Sequence, residues 1–236
     1  MTPEVWRIYC GPAPDPAEIW LRWNLDPVLL LILVLLAFAV RRSRAGMLAV
    51  AVLVVAFVSP LCALSAALFS ARVVHHVLLV AVAAPLLALA RPGRAIRGGA
   101  VPFLAFTGVL WAWHLPQAYD LALSNVLAYW AMQLSLLLTA VLFWRAVLHP
   151  GQASGYALLL VLGSYMQMGL LGALLTFAPD PLYAIHAVAP LAWGFSPLAD
   201  QQLGGLVMWV PAGLPFAAWG AFVARRGWRA MPGHPA

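Results

Sequence analysis

The stretch DPVLLLILVLLAFAVRRSR, residues 26 to 44, decides the fold class of this chain. Its apolar part, residues 27–40, carries no charge and follows Asp26 directly, a residue type that caps helix N-termini, with proline at the first helical position. Its polar end places three arginines close together, and arginine clusters stay on the cytoplasmic side of a membrane. The stretch therefore predicts a transmembrane helix that runs from outside to inside.

The composition of the whole chain agrees with a membrane environment. Of its 236 residues, 64% belong to the hydrophobic class, 8% are charged and 11 residues are tryptophan. A soluble domain of this size cannot bury so much apolar surface, so lipid must be the solvent for most side chains. The net charge of +6 comes from arginines grouped between apolar runs, and we interpret it as topology and not as a nucleic-acid site.

Seven apolar runs follow one another along the chain. They cover residues 27–40, 46–64, 73–90, 100–115, 124–148, 155–178 and 202–224. A hydrocarbon layer of about 30 Å takes about 20 helical residues, so most runs can span it, while the first and fourth are short and need help from flanking Trp and Arg side chains. The sequence predicts an all-α, polytopic membrane helix bundle with about seven transmembrane helices.

Charged residues alternate regularly between the connections. Ten of the 13 basic residues lie in the first, third and fifth connections or after the last run: Arg41, Arg42, Arg44, Arg91, Arg94, Arg97, Arg145, Arg225, Arg226 and Arg229. All seven acidic residues lie on the other side: Glu4, Asp15, Glu18, Asp26, Asp120, Asp180 and Asp200. This distribution predicts that the N-terminus is outside and the C-terminus is in the cytoplasm.

The predicted topology divides the chain into three parts. An external N-terminal segment covers residues 1–26, the seven-helix transmembrane domain covers residues 27–224, and a cytoplasmic tail covers residues 225–236. No basic stretch leads into an apolar one in the first part, so we expect no cleavable signal peptide. The topology places Cys10 and Cys62 outside, which permits a disulfide but does not require one.

Polar residues collect at the external mouth of this predicted bundle. The candidate metal ligands are His76, His114, His75, Asp200, Met132 and Cys62. Imidazole and soft sulfur donors suit copper better than magnesium or calcium. His75 and His76 are adjacent and point about 100° apart on a helix, so at most one of them is expected to be a central ligand.

Each candidate also has a structural explanation. A histidine near a membrane interface can form a hydrogen bond between helices, and Asp200 can cap the helix that begins beside it. Met166 and Met168 lie two residues apart, on different helical faces, and methionine is ordinary core filler. The long aromatic connection at residues 179–199 is expected to lie on the membrane surface or to cap the bundle mouth.

Several ordered motifs resemble a known family. They are WHLP at 113–116, YMQM at 165–168, LGALLT at 171–176, PLY at 181–183, DQQLGG at 200–205 and MWVP at 208–211. Together they resemble the CtaG family, the seven-helix assembly factors of caa-type cytochrome c oxidases, over nearly all of residues 23–222. The resemblance implies a role in maturing the oxidase, at the copper insertion step, in the bacterial plasma membrane.

The chain departs from the family pattern at two places. The third helix of the family shows His-x-x-x-His, and here Arg72 stands at the first position and His76 at the second. The fifth helix of the family shows His-x-x-Glu-His, which corresponds here to Tyr129, Met132 and Gln133. If those positions form the metal site of the family, His76 and His114 are the surviving imidazoles.

The resulting hypothesis is a non-enzymatic assembly factor, a metallochaperone of the respiratory chain, at the outer face of the plasma membrane. Its expected partners are cytochrome c oxidase subunits and the lipid bilayer, without nucleic acid, and copper is its one candidate cofactor. No hydrolase triad, zinc-protease motif or phosphate loop argues for an enzyme.

Three rival functions stay open from sequence. The chain can be an accessory subunit of a respiratory complex without its own metal, because part of the family's ligand set is missing. It can be a membrane cytochrome in which His76 and His114 bind heme b, because both lie at similar depth. A small transporter is the third, and it lacks a charged residue near the bilayer midplane.

Overall fold

The computed structural model describes residues 9–91 and 98–231, which form a bundle of α-helices without β-strands. The helices are α1 (Pro27–Val40), α2 (Arg44–Phe57), α3 (Leu61–Ala67), α4 (Phe69–Val77), α5 (Ala84–Ala90), α6 (Ala100–Trp113), α7 (Pro116–Ser124), α8 (Val126–Leu148), α9 (Ser154–Thr176), α10 (Pro197–Trp209) and α11 (Gly213–Arg229). Short 3-10 turns cover Ile19–Leu21, Ala184–His186 and Ala189–Trp193. Arg94 and Arg97, and parts of the predicted external segment and tail, lie outside the described residues.

Four helical stretches in the described part are long and apolar enough to cross a membrane. They are Phe69–Ala90, Val126–Leu148, Ser154–Thr176 and Pro197–Arg229. Helices α2 and α3 form a bent pair, with an angle of 44° between them, that makes a fifth span if it crosses as one unit. Helices α1 and α6 are apolar but have only 14 residues each, as the sequence predicts for the first and fourth runs. The all-α membrane fold is therefore confirmed.

The first helix begins as its sequence predicts. The Asp26 carboxylate accepts hydrogen bonds from the backbone amides of Val28 and Leu29, which satisfies donors that have no partner inside the helix. Tyr9 donates its hydroxyl to the same carboxylate at 2.8 Å. This contact ties the N-terminal segment to the start of α1.

A π-helical segment, Leu78–Ala83, joins α4 to α5 into one continuous stretch. The amide of Ala84 donates five residues back, to the carbonyl of Leu79, and Pro85 has no amide hydrogen, so a carbonyl of the preceding turn lacks its backbone donor. The indole of Trp219 donates to the carbonyl of Ala81 at 3.0 Å, and Trp144 donates to the carbonyl of Val80 at 2.7 Å. Neighbouring helices therefore satisfy the backbone of this irregular segment inside the membrane, as a proline in an apolar run requires.

Helices α9 and α10 approach closely because glycines face each other. A methyl group added at Gly205 would stand 2.6 Å from the carbonyl oxygen of Gly172, and one added at Gly172 would stand 2.7 Å from the carbonyl oxygen of Gly205. Small residues at such a crossing let two backbones pack directly in a membrane. This close contact fixes how side chains further along both helices meet.

Arginine-bearing helix ends lie at one end of the bundle. Arg91, after α5, donates to the carbonyl of Ala39 near the end of α1 at 3.0 Å, and Arg226, on α11, donates to the carbonyl of Leu148 at the end of α8 at 2.7 Å. At the opposite end, Cys10 and Cys62 form a disulfide. The disulfide attaches the N-terminal segment to α3.

The connection between α9 and α10 folds over the second end of the bundle, which agrees with the expectation that it caps the mouth. The Asp120 carboxylate on α7 accepts from the backbone amides of Ala184 and Ile185, each at 3.3 Å. Tyr183 donates its hydroxyl to the carbonyl of His114 at 3.0 Å, and His186 lies between the Tyr119 hydroxyl and the carbonyl of Ala67. We call residues 179–196 the mouth loop.

Asp200 caps a helix, but not the helix on which it lies. Helix α10 begins earlier than predicted and is capped by Ser196. The buried Asp200 carboxylate instead accepts from the backbone amides of Phe69 and Ser70 and from the Ser70 hydroxyl. These donors form the first turn of α4, so Asp200 joins the N-terminal end of α4 to α10.

Replacing Asp200 by Asn should destabilise the protein by about 2 kcal/mol, because the α4 amides lose a charged acceptor inside the bundle. Thermal unfolding of the detergent-purified protein measures this loss, with the exposed Asp180→Asn variant as control. If Asp200→Asn instead keeps full stability but loses bound metal, Asp200 is a ligand and not a cap.

Stability should also fall as the pH is lowered, in part because of His186. Burial, with a smaller contribution from the charge of Arg72, lowers the pKa of His186 from 6.5 to about 3. Between these values the unfolded chain binds a proton that the folded chain does not, so the free energy of unfolding decreases as the pH falls below about 6.5.

The variant His186→Gln can keep both hydrogen bonds and does not titrate. We expect the unfolding midpoint temperature of the wild type to fall more between pH 7 and pH 5 than that of this variant. Thermal unfolding in detergent measures both. An equal loss in both proteins would show that His186 does not contribute.

Candidate metal site

A small cavity lies beneath the mouth loop, between α4, α6, α9 and α10. Its lining consists of Val73, His76, Val77, Val80, Leu110, His114, Met168 and Met208. The cavity measures about 10 Å³, which is close to the volume that one water molecule needs. Its size therefore suits a single small occupant.

Two imidazoles face each other across this cavity. The rings of His76 and His114 have their centroids 6.3 Å apart and are nearly perpendicular. Nδ1 of His114 lies 2.7 Å from the carbonyl oxygen of Leu110, so this nitrogen carries the proton and Nε2 keeps its lone pair. Nε2 of His76 is buried and has no hydrogen-bond partner among the described residues. A metal–imidazole bond is about 2 Å long, so an ion between the two rings fits this separation.

Two methionines complete the lining on the other side of the cavity. Met168 on α9 and Met208 on α10 are both buried, with 2% of their surface exposed. Met166, two residues from Met168, is 61% exposed and lies on the outer surface of its helix. The donor set near the cavity is thus two neutral nitrogens and two thioethers. Soft neutral donors of this kind select copper(I) over hard cations, so the residues present fit a copper(I) ion.

His75 does not belong to this group. Its ring packs edge-on against Phe57 of α2 at 4.9 Å between centroids, and it does not line the cavity. Of the two adjacent histidines, His76 is the one that lines the cavity.

The other three candidate ligands lie elsewhere. Cys62 is bonded to Cys10 and so has no thiolate for a metal. Asp200 uses its carboxylate as the cap of α4, and Met132 is buried in α8 outside the cavity lining. Within residues 9–91 and 98–231, no three His, Cys, Asp or Glu side chains form a group that could hold a metal ion.

Sequence reasoning did not place either cavity-lining methionine among the candidate ligands. It treated Met168 as core filler and did not consider Met208. Each lies four residues from a tightly packed glycine, since Met168 precedes Gly172 and Met208 follows Gly204. Residues four apart share a helix face, so a glycine at a helix contact indicates that the methionine four residues away faces the same neighbouring helix. Gly172 and Gly204 could in this way have pointed to Met168 and Met208.

A buried cation lies beside the cavity. Arg72 is 1% exposed, and none of its guanidinium nitrogens has a hydrogen-bond partner in the described part of the chain. Its guanidinium carbon lies 5.4 Å from the centre of the Tyr129 ring, within the range of a cation–π contact. The positions that depart from the family pattern in the third and fifth helices therefore meet in space.

Comparison with known proteins gives one match. The family model described as cytochrome c oxidase caa3 assembly factor matches residues 36–103 and 94–230. No curated protein and no solved structure matches the chain. The matched residues cover most of the chain, including every residue that lines the cavity. The chain therefore belongs to the family of cytochrome c oxidase caa3 assembly factors.

Proposed function

We propose that this assembly factor handles copper(I) for the oxidase, through His76, His114, Met168 and Met208. The observation that carries the proposal is the cavity of one-ion size on which these four side chains converge. Nε2 of His76 has no hydrogen-bond partner among the described residues, and the contact of His114 through Nδ1 leaves its Nε2 able to bind a metal. A neutral imidazole and thioether set binds copper(I) and releases it to stronger thiolate or imidazole acceptors.

We further propose that the chain crosses the bacterial plasma membrane seven times, with its N-terminus outside. Helices α1 and α6 are then the two short spans, and α2 with α3 is one bent span. The arginine-bearing helix ends would face the cytoplasm, and the disulfide would face the oxidising exterior, where such bonds persist. In this orientation the copper site lies near the outer face, where it can reach an external part of the oxidase.

The rival heme function has less support. A cavity of about 10 Å³ between His76 and His114 leaves no room for a porphyrin, because a heme ligated by both rings must fit between them. The donor set also holds no nucleophile paired with a base, which favours a binding protein over an enzyme. We therefore favour delivery of a metal ion to the oxidase without catalytic turnover.

Detergent-purified wild-type protein should bind one copper(I) ion, and the double variant His76→Ala, His114→Ala should bind none. The double variant Met168→Leu, Met208→Leu should weaken binding by on the order of tenfold or more, because it removes two soft donors. Competition with a copper(I) chelator measures each affinity.

The matched control for the methionine variant is Met132→Leu, which changes a buried methionine outside the cavity. We expect it to bind copper(I) as wild type does. Equal binding by the methionine double variant and wild type would remove the thioethers from the site.

Deletion of the gene should leave an oxidase that lacks activity and copper, while the other respiratory complexes keep theirs. Complementation with the His76→Ala, His114→Ala variant should fail to restore the copper content of the purified oxidase. Full restoration by this variant would contradict a copper role and favour a function in partner docking, the accessory-subunit hypothesis.

A further inference from the structure

The most unusual charge in the bundle is the guanidinium of Arg72. It is buried on α4, four residues before His76, so both side chains lie on the same face of the helix, one turn apart. Its charge is close enough to His76 to act on that ring electrostatically. A buried charge normally has an ionic partner, because leaving it unpaired costs free energy.

No described carboxylate forms an ion pair with this guanidinium. The ion pair formed within residues 9–91 and 98–231 is Arg22–Glu18, at the surface. Asp200 keeps its negative charge, but its oxygens accept from the first turn of α4, which lies on the opposite side of Arg72 from His76 along the helix. Arg72 is instead stabilised through the ring of Tyr129. Arg72 is therefore the ionised side chain closest to His76 along α4.

We propose that Arg72 makes the site selective for monovalent copper by repelling divalent ions from it. The inference rests on the proposed copper(I) site and adds a reason for its oxidation-state preference. The four donors of the cavity are neutral, so they do nothing to offset the charge of an incoming ion. Copper(I) raises the local charge to +2 with Arg72, whereas copper(II) or zinc(II) raises it to +3.

The physical basis is that Coulomb energy is proportional to the charge of the ion. A fixed positive charge one helical turn away therefore costs a divalent ion twice as much as a monovalent one. Inside the bundle the effective dielectric constant is low and salt does not screen the pair well. Arg72 thus adds to the preference that the soft thioethers already give.

The test compares wild type with Arg72→Met, which keeps most of the side-chain volume and removes the charge. Silver(I) serves as a redox-inert monovalent probe, and zinc(II) as the divalent probe. Affinity for each ion is measured by competition titration in detergent at constant ionic strength. We expect the affinity for zinc(II) to rise on the order of tenfold more than the affinity for silver(I).

Three further variants separate charge from packing. Arg72→Lys keeps the charge and should retain the wild-type ratio of silver(I) to zinc(II) affinity. Arg41→Met removes an exposed arginine at the other end of the bundle and should leave the ratio unchanged. Gln133→Glu adds a negative charge on α8 one helical turn after Tyr129, the ring that Arg72 contacts, so it should shift the ratio in the same direction as Arg72→Met.

The two levels of the proposal can fail separately. Wild-type protein without silver(I) or copper(I) affinity overturns the proposed site and the selectivity with it. If the wild type binds metal but neither Arg72→Met nor Gln133→Glu changes the ratio of silver(I) to zinc(II) affinity, the proposed role of Arg72 is wrong and the site itself stands. Arg72→Met and Gln133→Glu change the charge at different positions. If one variant folds poorly, the other still tests the role of Arg72.

Discussion

The carboxylate of Asp200 sets the register on which the candidate site depends. It lies on α10 and caps the first turn of α4, and each helix carries a cavity-lining residue about two turns further along, His76 on α4 and Met208 on α10. Because a helix rises 1.5 Å per residue, equal spacing from a shared anchor brings both side chains to the same depth. The cap thus aligns an imidazole and a thioether that are far apart in sequence.

The glycine contact between α9 and α10 extends this alignment to a third helix. Gly172 and Gly205 allow the backbones to meet directly, and this places Met168 opposite Met208. The fourth lining residue, His114, comes from the end of α6, where its hydrogen bond to Leu110 fixes the ring orientation. Second contacts of this kind orient metal-binding histidines in proteins generally. The four side chains are therefore positioned by backbone packing and caps, and each helix contributes one.

Much of the fold could be predicted from the sequence, and the site only in part. Apolar run length predicted the helices of the membrane domain, and the Asp26 cap followed from local rules. His76 and His114 could be named because few polar residues occur in the apolar runs. Three features could not be predicted: the capping of α4 by Asp200 from α10, the Cys10–Cys62 bond and the methionine pair. Each depends on which helices are neighbours, and periodicity along one helix does not contain that information.

The mouth loop has a consequence for the rate at which the cavity exchanges its contents. It is held by the Tyr183 hydroxyl on the carbonyl of His114 and by the Asp120 carboxylate on two loop amides. The Tyr183 ring is also buried and stacks on Phe69 at 4.7 Å between centroids. An ion that enters the proposed site through the mouth displaces these contacts on its way. The loop then limits the rate of exchange, while the four donors beneath it set how tightly the ion binds.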